Sequence, residues 1–221
     1  MKPREWIEAF WAGERPEQIP YTIYWWEWRD FADDPAWLPM FKAGLRVTYG
    51  TAAAVGRTKG VEFEEKTVVE NGDQIRLQKM RTPVGEVSAT WRNGWHDTYW
   101  LKTPIDYRVM QYVVENTELS PDYEAAADMA RELGEFGIAL AYVPRTPLQT
   151  ILVDYAGLEN FGVHLLMYEE EVRGLYGALR ENFRKAVEIV AKSPERYVAC
   201  MENFTADTLG PERYGEFLLP V

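Results

Sequence analysis

The chain contains one cysteine, Cys200, and two histidines, His96 and His164, among 221 residues. A single thiol excludes an internal disulfide, so an apolar core must hold the fold, and it suits a reducing compartment. Basic charge is scarce as well: 24 Lys and Arg stand against 35 Asp and Glu, a formal net charge of -11. Nucleic-acid binding rests on clustered cations that displace counterions from phosphates, and no such cluster is present. Long apolar runs are also missing. The most apolar stretches, Gly137 to Pro144 and Thr150 to Leu158, fall far short of the roughly 20 residues that cross a bilayer. The opening Met1-Lys2-Pro3-Arg4-Glu5 soon reaches Glu8 and Glu14, without the apolar segment of a signal peptide. These absences predict a cytoplasmic protein with no membrane and no nucleic-acid partner.

What is present is the material of a soluble core, with 47% hydrophobic and 27% charged residues. One large domain is the natural expectation. Trp6, Ile7, Phe10 and Trp11 recur at helical steps and predict an amphipathic helix over 3–12, stopped at Gly13. Tyr21 to Trp26 is dense in aromatic and β-branched residues and predicts a buried strand. From Arg46 to Gly94 short strand-like runs alternate with turns, and Asn71-Gly72-Asp73 is a strong hairpin signal. The section reads as a β-meander with one wet and one packed face. Helical spacing follows over Tyr107 to Glu118 and Tyr123 to Leu133, then an apolar strand over 137–143, a long helix over about 171–192 and a strand over 196–202. Strand, crossover helix and strand make a parallel unit.

At this point a family resemblance emerges. The opening "PREWIEAFWAGERPEQIPYTIY", the segment "MRTPVGEVSATWR" with its Thr-Pro-x-Gly motif, and the ending "ENFTADTLGPERYGEFLLPV" resemble corresponding parts of the uroporphyrinogen decarboxylase superfamily. The Thr-Pro-x-Gly segment is closest to the branch of corrinoid-dependent methyltransferases. The resemblance implies an α/β fold: an incomplete (β/α)8 barrel with an N-terminal helix and an inserted meander over 46–94. A complete barrel of this class needs about 250 residues. With barrel strands expected only near 20–26, 137–143 and 196–202, the reading is of a barrel whose closing strands are missing.

Such barrels place their chemistry at the C-terminal ends of the strands. On that rule the candidate catalytic residues are Glu202 and Asn203, and the candidate substrate-binding residues are Arg29, Glu27, Trp26, Tyr142 and Arg145. Each has a plainer role open to it. Strand-end acids also cap the next helix, as Asp207 is placed to do. Arg29 and Glu27 can pair with each other, and Trp25, Trp26 and Trp28 can be core. Where the decarboxylases carry paired arginines after the first strand, this chain has Glu27-Trp28-Arg29. Their aspartate has no counterpart in 46–56, and their later tyrosine falls at Leu152 or Val153, with Tyr155 out of register.

The resemblance implies a corrinoid-linked methyltransferase-like enzyme of one-carbon metabolism, with a zinc ion and a corrinoid as cofactors and a small molecule or corrinoid protein as substrate. His96 and His164 stand at no metal spacing from Cys200, so no metal ligands are assigned within this chain. Uroporphyrinogen decarboxylation is the first alternative. The second is a non-catalytic chain that forms a homodimer or awaits a completing partner, because open barrel edges expose unpaired backbone groups.

Overall fold

The computed structural model describes residues 3–15, 19–24, 33–203 and 206–221. They form a mixed α/β structure whose contacts divide the chain into two compact units. No helix among the described residues is long and apolar enough to cross a membrane.

The first unit comprises Met1–Val55, Pro121–Val143 and Glu188–Ala199. Its sheet runs in the order β1 (Tyr21–Tyr24), β2 (Leu45–Ala52), β9 (Gly137–Val143) and β10 (Val198–Cys200). β2 is parallel to both β1 and β9, with Tyr21 opposite Leu45 and Val47 opposite Gly137, and the sheet curls as a half-barrel. Leu45, Arg46, Val47 and Thr48 are all buried, as are Ile138 to Ala141. Burial on both faces is what a parallel sheet requires of its inner strands.

Alternate residues of β9 enter different clusters. Ala139 joins Leu45, Val47 and Phe41 beneath Met129 and Leu133 of α4 (Tyr123–Leu133). Ile138 and Leu140 instead meet Ile7 of α1 (Pro3–Trp11). Full burial of a Leu or Ile side chain contributes about 1.5–3 kcal/mol, so these few anchors account for much of the unit's cohesion.

The second unit comprises Gly56–Ser120, Pro144–Val187 and Cys200–Val221. An antiparallel meander joins β4 (Glu62–Glu70), β5 (Asp73–Thr82), β6 (Gly85–Arg92) and β7 (Trp95–Thr98) in that order. Asn71 and Gly72 both take positive φ in the first hairpin, and Asn93 and Gly94 repeat the device in the last. That is the turn whose twist matches a right-twisted strand pair. Val87, Ala89 and Trp91 point into the core, while Glu86 and Arg92 are exposed.

Against that face packs α3 (Pro104–Glu115), contributing Tyr107, Val109, Met110 and Val114. Asp106 Oδ2 accepts from the Thr103 N–H at 2.7 Å and the Lys102 N–H at 2.9 Å, and Pro104 stands in the first turn, where its missing donor costs nothing. Leu175 and Tyr176 of α7 (Glu169–Val190) complete the same core.

Several sequence expectations are met closely: the helix at 3–12, the helix at 123–133, the strand at 137–143 and the Asn71-Gly72 hairpin. One is corrected. The stretch from Arg46 opens not with a meander strand but with β2, which belongs to the parallel sheet; its first four residues are buried without alternation. That gives four strands in this sheet where three were expected, with 25–26 of the first lying outside the described residues. The helix expected over 107–118 starts and ends three residues earlier, because the Thr103 cap sets its start and Thr117 opens β8 (Thr117–Pro121).

Candidate active site

The polypeptide leaving β9 makes a turn in the second unit that buries several polar atoms. Pro147 opens a one-turn helix, α5 (Pro147–Gln149), which passes directly into a π-helix over Thr150–Ala156. π-Helical turns are rare and concentrate at functional sites. Asp154, on the π-helix, reaches back to Arg145, which stands just before the Thr146 N-cap of α5. The π-helix ends at Gly157, with φ +76°, where a Cβ would stand 2.6 Å from the Tyr99 ring.

Two charged groups pair on this segment, and a titratable one stands near them. Arg145 Nε lies 3.4 Å from Asp154 Oδ2, with both side chains half-buried. His96, at the meander's last hairpin, adds its field to Asp154 and stacks nearly parallel on Tyr99 at 4.4 Å, with Trp91 at 5.0 Å. Burial pushes the Asp154 carboxyl above its ordinary range, against the opposing pull of Arg145 and His96. Burial likewise holds the His96 imidazole below its ordinary value, with Asp154 opposing and Arg76 assisting. A carboxyl whose proton is held more tightly than usual, beside a guanidinium, can exchange a proton while its neighbour orients an anion.

Several polar atoms here are buried and meet no hydrogen-bond partner among the described residues: Arg145 Nη1, Thr146 Oγ1, and both Nε2 and Oε1 of Gln149. The Thr146 backbone is better provided, since its N–H donates to Glu202 Oε1 at 2.9 Å. The Cys200 thiol reaches the Pro144 carbonyl at 3.6 Å and Glu202 Oε1 at 3.9 Å. Partial burial and the Glu202 carboxylate push that thiol upward, so it is a poor thiolate nucleophile.

The residues singled out from the sequence are therefore distributed unevenly. Arg145 is part of the ion pair, and Glu202 fastens the start of the same segment. Asn203 follows Glu202 and is exposed. Tyr142 lies near the end of β9 in the first unit, packed with Ile138 and Leu140, its ring over Gly50. Arg29, Glu27 and Trp26 lie outside the described residues. Asp154, Gln149 and Thr146 were not singled out, and His96 was considered as a metal ligand and not assigned. One signal was available: Asp154 is the only charged residue in the apolar run 150–158, a position where a carboxylate needs a reason.

The other buried polar pair of this unit is self-contained. The Tyr107 hydroxyl lies 3.0 Å from His164 Nδ1, in the core next to α6 (Leu158–Met167), which carries His164. Burial raises the tyrosine and lowers the histidine, so a phenol that keeps its proton is paired with a neutral imidazole. Among the described residues no three His, Cys, Asp or Glu side chains converge as metal ligands. His96, His164 and Cys200 have the separate partners just given, and this donor set does not fit the zinc ion that the family resemblance implies.

No protein-family model matches the chain, and no curated protein or solved structure matches it.

Proposed function

We propose that the chain is a barrel-type enzyme of the uroporphyrinogen decarboxylase superfamily, in the corrinoid-linked methyltransferase-like branch, acting on a small molecule beyond the carboxyl ends of its parallel strands. The observation that carries this reading is strand order. β1, β2, β9 and β10 are neighbours in chain order, as in a (β/α)8 barrel, whereas a doubly wound sheet reverses direction after its first strands. The four strands are read as the opening of such a barrel, α1 as its leading helix and β4–β7 as the inserted meander.

The Thr-Pro-x-Gly motif adds support of an architectural kind. Thr82 Oγ1 accepts from the Val84 and Gly85 N–H groups at 3.1 and 3.3 Å and donates to the Gly85 carbonyl at 3.0 Å. Gly85 has φ +152°, and a Cβ there would stand 3.2 Å from Val109. The motif thus builds the β5–β6 turn, and the chemistry falls to the strand-end segment. There Arg145 orients a substrate anion, Asp154 holds or releases a proton at its carboxyl oxygen, and Glu202 fixes the Thr146 backbone. A corrinoid would supply the methyl group; no step assigned to these residues passes through it or through a metal.

Decarboxylation of a tetrapyrrole acid is the second reading, favoured by one observation. The unpaired Nη1 of Arg145 offers what a substrate carboxylate needs. The test is to incubate the whole chain with methylcobalamin and a panel of small thiols, following the corrinoid spectrum, and in parallel with uroporphyrinogen, following carbon dioxide. Thiol methylation with release of cob(I)alamin, lost in Asp154→Asn, supports methyl transfer. Carbon dioxide release supports the decarboxylase. A folded chain that does neither overturns the enzymatic reading and points to a binding subunit.

A further inference from the structure

We propose that Arg145, Thr146 and Gln149, beside Asp154, form a binding subsite for a small carboxylate that carries its own hydrogen-bond donor, with 2-hydroxy acids as the simplest class. The inference rests on reading this segment as a substrate site and adds the class of ligand.

Buried polar atoms in folded proteins almost always find partners, and each exception calls for a reason. Among the described residues six buried side-chain nitrogen and oxygen atoms have none, and four of them belong to Arg145, Thr146 and Gln149. The other two, Thr51 Oγ1 and Tyr197 OH, are single hydroxyls in the first unit. Gln149 is the extreme case, with no exposed surface and neither end of its amide satisfied. A buried amide without hydrogen-bond partners among the described residues is costly to keep, and its neighbours Leu148 and Ile151 are buried and apolar.

One short segment carries these atoms. Thr146 is the N-cap of the one-turn helix and Gln149 its third residue, Arg145 directly precedes the cap, and Asp154, on the π-helix, reaches back with its carboxylate to Arg145 Nε. Nε is thereby occupied and Nη1 left open. The chemistry of the open atoms selects the ligand. The guanidinium N–H, the amide NH2 and the hydroxyl supply donors for the two oxygens of a carboxylate, and the fixed positive charge prefers an anion. Gln149 Oε1 accepts only, so the ligand must bring a donor next to its carboxylate. A 2-hydroxy acid has that arrangement.

The experiment uses the whole chain and three near-isosteric probes: lactate, propionate and lactamide. Binding is read by calorimetric titration and by the rise in melting temperature, without turnover, so failure of the proposed reaction and failure of this subsite are seen separately. Lactate is expected to bind most tightly, propionate less because Oε1 stays unmet, and lactamide least because the charge is gone. Arg145→Gln should weaken lactate binding about ten- to a hundredfold, the worth of a charge-assisted hydrogen bond, with Arg145→Lys in between as the variant that keeps the charge. Gln149→Leu should fold at least as well as the parent and lose the preference of lactate over propionate. Equal response to all three probes, or a Gln149→Leu chain that melts lower than the parent without any probe, overturns the proposal: the first denies selection, and the second means the amide is satisfied within the fold.

Discussion

Two buried polar arrangements in the second unit invite comparison. Tyr107 and His164 answer each other across 3.0 Å inside the apolar core, one donor to one acceptor. Arg145, Thr146 and Gln149 leave four buried polar atoms unanswered around an ion pair. Both sets are polar groups withdrawn from water, yet among the described residues only the first is complete. A satisfied pair makes a core specific, whereas an unsatisfied set is tolerated where something outside the chain is to be bound. On this view the first arrangement belongs to architecture and the second to function, and substitutions should separate them.

The largest effect is expected where the two meet. Ile151 lies on the π-helix with its side chain wholly buried in the core that also holds Tyr107. Ile151→Ala should cost about 2–5 kcal/mol in urea unfolding and weaken lactate binding as well, because the core anchors the turn that presents Gln149. Loss of stability with unchanged binding would separate the segment from its supposed support. Next is Tyr107→Phe, which strands His164 Nδ1. It should cost about 1–3 kcal/mol while leaving lactate affinity intact, and a binding defect of equal size would erase the distinction between the two arrangements.

pH should act on the two histidines and on Asp154 in opposite senses. His164 and His96 are both held below their ordinary value of 6.5, so the unfolded chain takes up protons first as pH falls. Their contribution is present above 6.5 and is lost as pH drops through it toward the lower folded values. The urea midpoint should fall over that window, and a midpoint that rises there would contradict the assignment. Asp154 is raised, so its ionised form is disfavoured in the folded chain and its contribution is lost as pH rises through the folded value. Asp154→Asn should therefore be as stable as the parent or slightly more so at neutral pH, with the difference gone below the ordinary carboxyl value of 3.8. A variant less stable at neutral pH would mean that the pair with Arg145 outweighs burial.

The fold was more legible in the sequence than the site. Gly137 to Val143 reads as a buried strand because seven apolar residues without periodicity have no other compact use. Asn71-Gly72 reads as a hairpin because those residues tolerate positive φ. The same logic applies to Asn93-Gly94, which was passed over because β7, Trp95–Thr98, is only four residues long and carries a histidine and an aspartate. Leu45–Ala52 was misplaced because Arg46 and Thr48, polar by type, give a strand that is buried on both faces the look of a half-wet one. Arg145 and Glu202 were found through the rule that barrels act at strand ends. Asp154 was missed because it meets Arg145, nine positions earlier, only through the π-helical segment, which no 3.6-residue periodicity announces, and Gln149 because a glutamine in an apolar stretch carries no sign of its burial.

The most direct test of the central claim is the stability of Gln149→Leu, the smallest of the expected changes. If the buried amide is kept for a ligand, urea unfolding of the unliganded variant should give a free energy equal to or slightly above that of the parent, while lactate no longer shifts its midpoint more than propionate does. A loss of about 1–3 kcal/mol would mean that the amide completes a hydrogen-bond network of the folded protein, and the Arg145 to Gln149 turn would join Tyr107 and His164 as architecture.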